Sequence, residues 1–444
     1  MKNPIDRSNR TTPLLAPLWA DTAPASPQYP TLTETVDADV VIIGGGFTGL
    51  STALALAERG RTAIVLEAGQ PGSGASGVSG GQVIPGLRHF DHDLMSAYGP
   101  EIGRRAYKFG GDSADRTFAI IARHKIECGA AQTGKIQAAD SAVGLNEAHR
   151  RFTAWHAAGA PVEMIDRKSL ADRLGTDVYL GGMIDGRGGT VQPLALTRGL
   201  AAAATSAGAR IFGSSAALRI IREGNDWRVE TRTGAARARQ LLLATNATTG
   251  SLWPGLDRCF MPVWSYQIAT VPIGGRLSAP ALRDGSAVAD TRRVLRYFRS
   301  DADGRLIVGG KGVSRAPRHI ADFEFQRQVL QRLYPELAET QLSHAWGGQV
   351  AITIDRLPRI FALGDGAYAH LGCNGKGVAW CTAIGEAFAE SFVEDRPAAL
   401  PIPVTPVSPI PFHQFRKLYV ALGGAWLRMR DTLDTTGSTS VRKE

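Results

Sequence analysis

Residues Val40 to Gly49 read Val-Val-Ile-Ile-Gly-Gly-Gly-Phe-Thr-Gly, an apolar run that breaks directly into a glycine turn. A second apolar run, Thr62-Ala-Ile-Val-Leu-Glu67, follows after one helix length. The pattern predicts a strand, a tight turn, a helix and a second strand. Gly44 permits the turn, Gly46 lets the backbone approach a pyrophosphate, and Gly49 lets the helix pack closely on the strand. Phe47 and Thr48 open that helix, whose amides and positive dipole end face a bound anion. Glu67, with Ala68 after it, stands where both hydroxyls of a ribose can be accepted. Glycines alone are a weak signal. With both strands and the acid in place they predict an adenine dinucleotide site.

At 444 residues, 44% of them hydrophobic, the chain can form two domains or one with large insertions. The formal net charge is +9, yet no long basic block or nucleic-acid motif accompanies it, so no nucleic-acid partner is expected. Cys128, Cys259, Cys373 and Cys381 lack metal-ligand spacing and fit free thiols in a reducing compartment. No His or Asp/Glu pair has such spacing, and no metal is expected. No secretory signal and no run of about twenty apolar residues is present, so the expectation is a cytoplasmic protein without a transmembrane segment.

Residues 1–36, rich in Pro, Thr and Ser, are read as an extended surface arm. Segments 37–100, 187–255 and 340–400 are assigned to one discontinuous domain, 101–186 and 256–339 to a second, and 401–444 to a tail. Helical patterning covers Phe90–Cys128, Leu145–Ala158, Lys168–Leu174, Leu194–Ala207 and Phe323–Leu333. Strands are read at Ala209–Phe212, Trp227–Thr231 and Gln240–Ala244. β-Branched and aromatic residues at Pro262–Val271, Val294–Phe298 and Arg305–Gly309 predict an antiparallel sheet. Late in the chain Pro358–Leu363 reads as a strand, and Gly372-Cys-Asn-Gly-Lys-Gly-Val378 opens a helix running to Val393. The fold class is therefore α/β: a Rossmann-like domain with a parallel sheet, interleaved with an α+β substrate domain containing an antiparallel sheet.

Two further strand–turn elements need an explanation that a compact nicotinamide domain does not offer. Ala244, Thr245 and Asn246 would bring a strand end to the adenine-side phosphate. The turn Gly375-Lys376-Gly377-Val378 would aim a helix N-terminus at a flavin pyrimidine, where negative charge develops on reduction, with Lys376 as an added point charge. Together with Gly72-Ser-Gly-Ala-Ser-Gly77, Gly80-Gly-Gln82, Val191-Gln-Pro193, Trp346-Gly-Gly348 and Thr353-Ile-Asp355, these stretches resemble the D-amino-acid oxidase superfamily. That superfamily of flavin amine oxidoreductases includes glycine and sarcosine oxidases, and the nearest resemblance is to its gamma-glutamylputrescine oxidoreductase group. The resemblance implies FAD in an extended pose, with Gly44, Gly46 and Gly49 along the pyrophosphate and Glu67 on the ribose. It also implies Ser76 beside the phosphates, Gln82 at the flavin edge, and Ala217, in a Ser215-Ala-Ala217 strand, offering its backbone to adenine. No histidine lies between Gly72 and Leu87 and no cysteine lies near Thr353–Asp355, so the FAD is expected to be noncovalent.

The resemblance further implies oxidation of an amine C–N bond by hydride transfer to flavin N5. Imine hydrolysis follows, and oxygen reoxidises the flavin with release of peroxide. The alternatives are a dehydrogenase that serves a quinone or carrier protein, and a non-catalytic flavoprotein subunit. Trp264, Tyr266, Tyr297 and Trp346 are the expected substrate walls, Tyr297 and Trp346 by motif position the better placed, although strand aromatics also serve cores. Tyr297, Trp346 and Lys376 are the candidates nearest the chemistry. Arg296 and Arg299, candidates for binding a carboxylate, are read as facing away from Tyr297. The tail, Phe412–Leu433, mixes aromatic and basic residues. It would dock on the protein itself or on a partner in preference to a membrane surface, with Gly423-Gly424 weakening any continuous helix.

Overall fold

In the computed structural model, which describes residues 15–274, 284–312 and 314–439, the two opening runs form adjacent parallel strands, Thr35–Ile43 and Ala63–Leu66. Every residue from Val40 to Ile43 and from Ala63 to Leu66 is buried, as a parallel sheet covered on both faces requires. Ala235–Leu243 pairs in parallel on the other side of the first strand, and Ala367–Leu371 lies parallel beyond it. Arg210–Phe212 adds next to Ala63–Leu66. An antiparallel strand, Arg359–Gly364, then Val404–Pro406 and a hairpin of Arg219–Glu223 with Asp226–Glu230 complete nine strands.

Alternate residues of the first strand feed two cores. Val40 and Ile42 pack against the helices Phe47–Glu58, Pro193–Ser206, Gly377–Val393 and Pro100–Arg123. Val41 and Ile43 pack on the other face with Trp227, Phe260 and Leu363. The second sheet has eight strands, in the order Leu342–Ile352, Met261–Thr270, Leu306–Lys311, Arg296–Ser300, Ala287–Asp290, Lys135–Ala139, Gly181–Asp185 and Val162–Asp166. All neighbours are antiparallel except the pair formed by Ala287–Asp290 and Lys135–Ala139. Its outer face packs on the helices Glu324–Leu333 and Arg167–Leu174.

Several sequence expectations are corrected here. Residues 101–186 supply three strands of the second sheet as well as the expected helices. Leu342–Ile352, expected in the nucleotide domain, pairs along the whole of Met261–Thr270 in the second sheet. The first fourteen residues of the arm lie outside the described residues. The rest of it carries a short helix, Leu18–Thr22, with Leu18 and Trp19 buried, and the first strand already begins at Thr35. In the tail, Val404–Pro406 joins the nucleotide sheet, and Arg416–Thr439 is one continuous helix through Gly423-Gly424. Residues 440–444 lie outside the described residues. Among the described residues, no helix is long and apolar enough to cross a membrane.

Candidate functional site

The glycine turn sits at the carboxyl end of the first strand. Gly44 has φ +113°, and a Cβ there would lie 2.8 Å from the Ala244 carbonyl oxygen. A Cβ at Gly49 would meet the Gly44 carbonyl oxygen at 2.0 Å, so close helix–strand packing does depend on that glycine. Gly46 caps the helix, and its missing Cβ leaves room for Ser76 Oγ, which accepts from the Phe47 amide at 3.1 Å. The amides of Thr48 and Gly49, in the first turn, have no preceding turn to bond. Glu67 stands at the end of its strand with half-buried oxygens. Oε2 accepts from the Gly45 amide (2.6 Å), and Oε1 from the Gly69 amide (2.9 Å) and Ser73 Oγ (3.2 Å). Ala68 beside it is exposed.

The later strand–turn elements close on this cradle. Ala244 donates its amide to the Ile43 carbonyl, and Thr245 Oγ1 meets Thr249 Oγ1 at 2.6 Å. Asn246, at φ +45°, accepts from the Gly372 amide (3.1 Å) and donates to Cys373 Sγ (3.2 Å), tying one strand end to the other. Gly375, at φ +84°, turns the chain into the helix Gly377–Val393, and Val378 is buried in its first turn. His370 fastens the two helices that converge here: Trp380 Nε1 donates to its Nε2 (3.0 Å), and Thr48 Oγ1 lies 3.2 Å from its Nδ1.

Lys376 does not point its charge into the space before that helix. Its Nζ donates to the carbonyls of Gly86 (2.8 Å), Pro85 (3.2 Å) and Leu87 (3.4 Å). Burial, then repulsion from Arg151, Lys135 and Arg88, hold its pKa well below the usual lysine range. Ala217 is also displaced from expectation. Ser215–Ala217 is an extended connection outside any strand, and Ser215 Oγ accepts from the Leu32 amide at 2.9 Å.

The loop Gly72–Gln82 is clamped between the cradle and the second sheet. The Val78 carbonyl accepts from Gln267 Nε2 and Trp346 Nε1, both at 3.0 Å, and the Ser79 carbonyl accepts from Trp19 Nε1 at 2.7 Å. Gly80 packs on Tyr297, whose ring would lie 2.9 Å from a Cβ there. Tyr297 is half-buried, its hydroxyl lies 3.0 Å from Ser265 Oγ, and burial pushes its pKa up to about 12. Gln82 turns its amide away into the sheet, donating to the Val288 (3.1 Å) and Phe298 (3.2 Å) carbonyls.

Strand alternation separates the four expected walls. Tyr297 and Trp346 face the loop. Trp264 and Tyr266, one residue out of phase with Ser265 and Gln267, face the outer core. Tyr266 is fully buried, packs on Phe323 at 5.0 Å and donates its hydroxyl to the Arg315 carbonyl. Trp346 is covered edge-on by Trp19, with ring centroids 5.8 Å apart, and is not an open wall. Arg299 shares the face of Tyr297, because residues i and i+2 of a strand point the same way. Its Nη1 donates to the Gly81 and Val191 carbonyls at 2.8 Å each, and its guanidinium lies over Trp19. Arg296 faces the other way and lies over Phe325.

A basic seam that no sequence motif announces runs beside the Lys376 turn. Arg187 pairs bidentately with Asp185 (2.7 and 3.0 Å) and lies 4.5 Å over Trp155, which stacks on Tyr107 at 4.2 Å. The missing Cβ of Gly86 makes room for Trp155. Lys135, on the facing strand, has its pKa lowered to about 7 by burial and by repulsion from Arg151, with Asp185 and Asp290 opposing.

The family model described as FAD dependent oxidoreductase (DAO) matches residues 39–391. A probable oxidoreductase, OrdL, of Rhizobium meliloti is 32% identical over 92% of this chain and 96% of its own length. Gamma-glutamylputrescine oxidoreductase of Escherichia coli is 30% identical over 91% of this chain and 95% of its own. The crystal structure of glycine oxidase from Geobacillus kaustophilus, 20% identical, covers 82% of this chain and 96% of its own with a TM-score of 0.69, and so shares the fold. The cradle fits a dinucleotide: glycine backbones closing a turn, two helix N-termini converging on it, and a carboxylate at the second strand's end. The chain belongs to the family of FAD-dependent oxidoreductases, and FAD is its cofactor.

Proposed function

We propose that this FAD-dependent oxidoreductase of the amine and amino-acid oxidase type oxidises an amine that also carries a carboxylate, a gamma-glutamylated amine being one such compound. Phosphates would lie at the first-turn amides of Thr48 and Gly49 with Ser76 alongside, and the ribose at Glu67. The ring system would reach toward the space bounded by Gly80–Gln82, Tyr297 and the start of Gly377–Val393. Bound FAD would supply the hydride acceptor for oxidation of the amine to a hydrolysable imine, with oxygen, reduced to peroxide, as the final acceptor. The chain's own residues orient the amine and exclude water. Tyr297, braced by Ser265, would form one wall.

The basic seam carries the substrate reading. Lys135, Lys376, Arg151 and Arg88 act on one another here, and Asp185, the acid common to both lysines, is already engaged by Arg187. An incoming carboxylate would hold the proton on Lys135 and relieve that repulsion. The relative named as a gamma-glutamylputrescine oxidoreductase supports the same chemistry.

Anaerobic mixing of the holoenzyme with gamma-glutamyl amines, sarcosine, glycine, D-amino acids and matching amines without a carboxylate tests the proposal. Flavin absorbance should bleach with the carboxylated compounds and roughly tenfold or more slowly without the carboxylate, the value of one charge-assisted contact. If no compound bleaches the band, or both classes react alike, the proposal fails. Peroxide yield in air, set against turnover with an artificial acceptor, decides whether oxygen or a quinone-type carrier takes the electrons.

A further inference from the structure

The tail helix Arg416–Thr439 has two distinct faces. Its inner face docks on the body. Val420 and Leu427 are half-buried and Gly424 is buried, so close to Lys311 that a Cβ would lie 1.9 Å from its Nζ. Asp431 accepts from the amides of Arg293 and Val294 at 3.0 Å each, and Arg293 also pairs with Asp434. Self-docking therefore uses two aliphatic residues, a glycine and acids, not the aromatic residues. Leu418, Tyr419, Leu422, Trp426 and Met429 fall on the opposite face, with Leu422 60% and Trp426 53% exposed, and Phe415 is exposed in the turn just before the helix.

We propose that this outward face is an interfacial anchor for an anionic lipid bilayer. Charge decides between occupants. Arg430 borders the apolar stripe and lies over Trp426, Lys417 and Arg428 are exposed on one flank of the helix while Arg416 falls toward the docked face, and no Asp or Glu occurs between Arg396 and Arg430. A second copy packed antiparallel about Gly423 would set Lys417 between Arg428 and Arg430 of the other copy, and a parallel copy would set each cation against itself, with no acid to offset either. An anionic headgroup layer answers the cations while the acyl boundary takes the apolar stripe, and Trp426 and Tyr419 suit the interface between them. The helix lies on the surface and does not span.

The test uses the full-length holoenzyme, sedimented with phosphatidylcholine vesicles with and without phosphatidylglycerol. Binding should require the anionic lipid and weaken as salt rises. The neutral pair Leu422→Ser with Trp426→Ser should cut it at least about tenfold at unchanged flavin content and circular dichroism. Absence of binding to phosphatidylglycerol vesicles at low salt overturns the proposal. So does full binding by the serine variant, which would mean only general attraction by a basic protein. A dimer in light scattering that the serine variant dissociates would assign the face to a second copy, and saturable binding of an acidic protein without lipid binding would assign it to a protein partner; either result overturns the bilayer.

Discussion

His370 lies between the two helices whose starts define the site, and its chemistry follows from its neighbours. The Trp380 indole can only donate, so Nε2 of His370 accepts and Nδ1 carries the hydrogen toward Thr48 Oγ1. Burial lowers its pKa to about 3, which keeps the ring neutral. An unfolded histidine titrates near 6.5. Between those values the unfolded chain binds the extra proton, so stability is lost as pH falls from about 6.5 toward 3. His370→Gln should flatten the stability–pH curve between pH 4 and 6 by up to about 1.4 kcal/mol per unit, read from urea denaturation at each pH. An unchanged slope would remove His370 from the account. The sequence placed His370 near a turn and allowed only a structural or solvated role, because one partner lies 322 positions away and no motif links them. Gly49 and Glu67 were readable for the opposite reason: Gly49 packs on Gly44 and Glu67 accepts from Gly45, all within one strand–turn–helix–strand unit.

At the scale of elements, the arm helix matters more than its five residues suggest. Trp19 is 1% exposed, donates to Ser79, packs edge-on against Trp346 and lies beneath Arg299. Trp19→Ala should cost about 3–5 kcal/mol in chemical denaturation and release the loop Gly72–Gln82 on one side. A loss below 1 kcal/mol would mean that the arm merely rests on the body. Composition hid this helix, since prolines on either side made the segment look extended. It also hid the strands Lys135–Ala139 and Gly181–Asp185, which have few β-branched residues and exist because each pairs on both edges. The antiparallel strands around Met261–Thr270 were readable from their residues. Which aromatics face the site depended on strand phase, and there Tyr266 and Tyr297 part company.

Across the whole molecule the chain passes from one sheet to the other four times: after residues 66, 185, 243 and 352 it leaves one sheet for the next. Neither sheet can be completed before the other has been visited, so unfolding should be a single event. Heating followed by far-ultraviolet dichroism and by flavin fluorescence should give one coincident midpoint. A hundredfold excess of FAD over its Kd should raise both by the equivalent of about 2.7 kcal/mol. Separate midpoints would mean that the sheets are independent. The interleaved order was readable from the spacing of the glycine-bearing turns, whereas the basic seam was not, because Lys135, Asp185 and Lys376 meet only after the crossings are made. The contact between Gly424 and Lys311 has a consequence of another kind. The tail helix is seated by a glycine, two aliphatic side chains and two inward acids, while what it displays is written on the exposed residues of its other face. Position and message are thus encoded separately, and a descendant of this sequence can rewrite its destination without relearning how to fold.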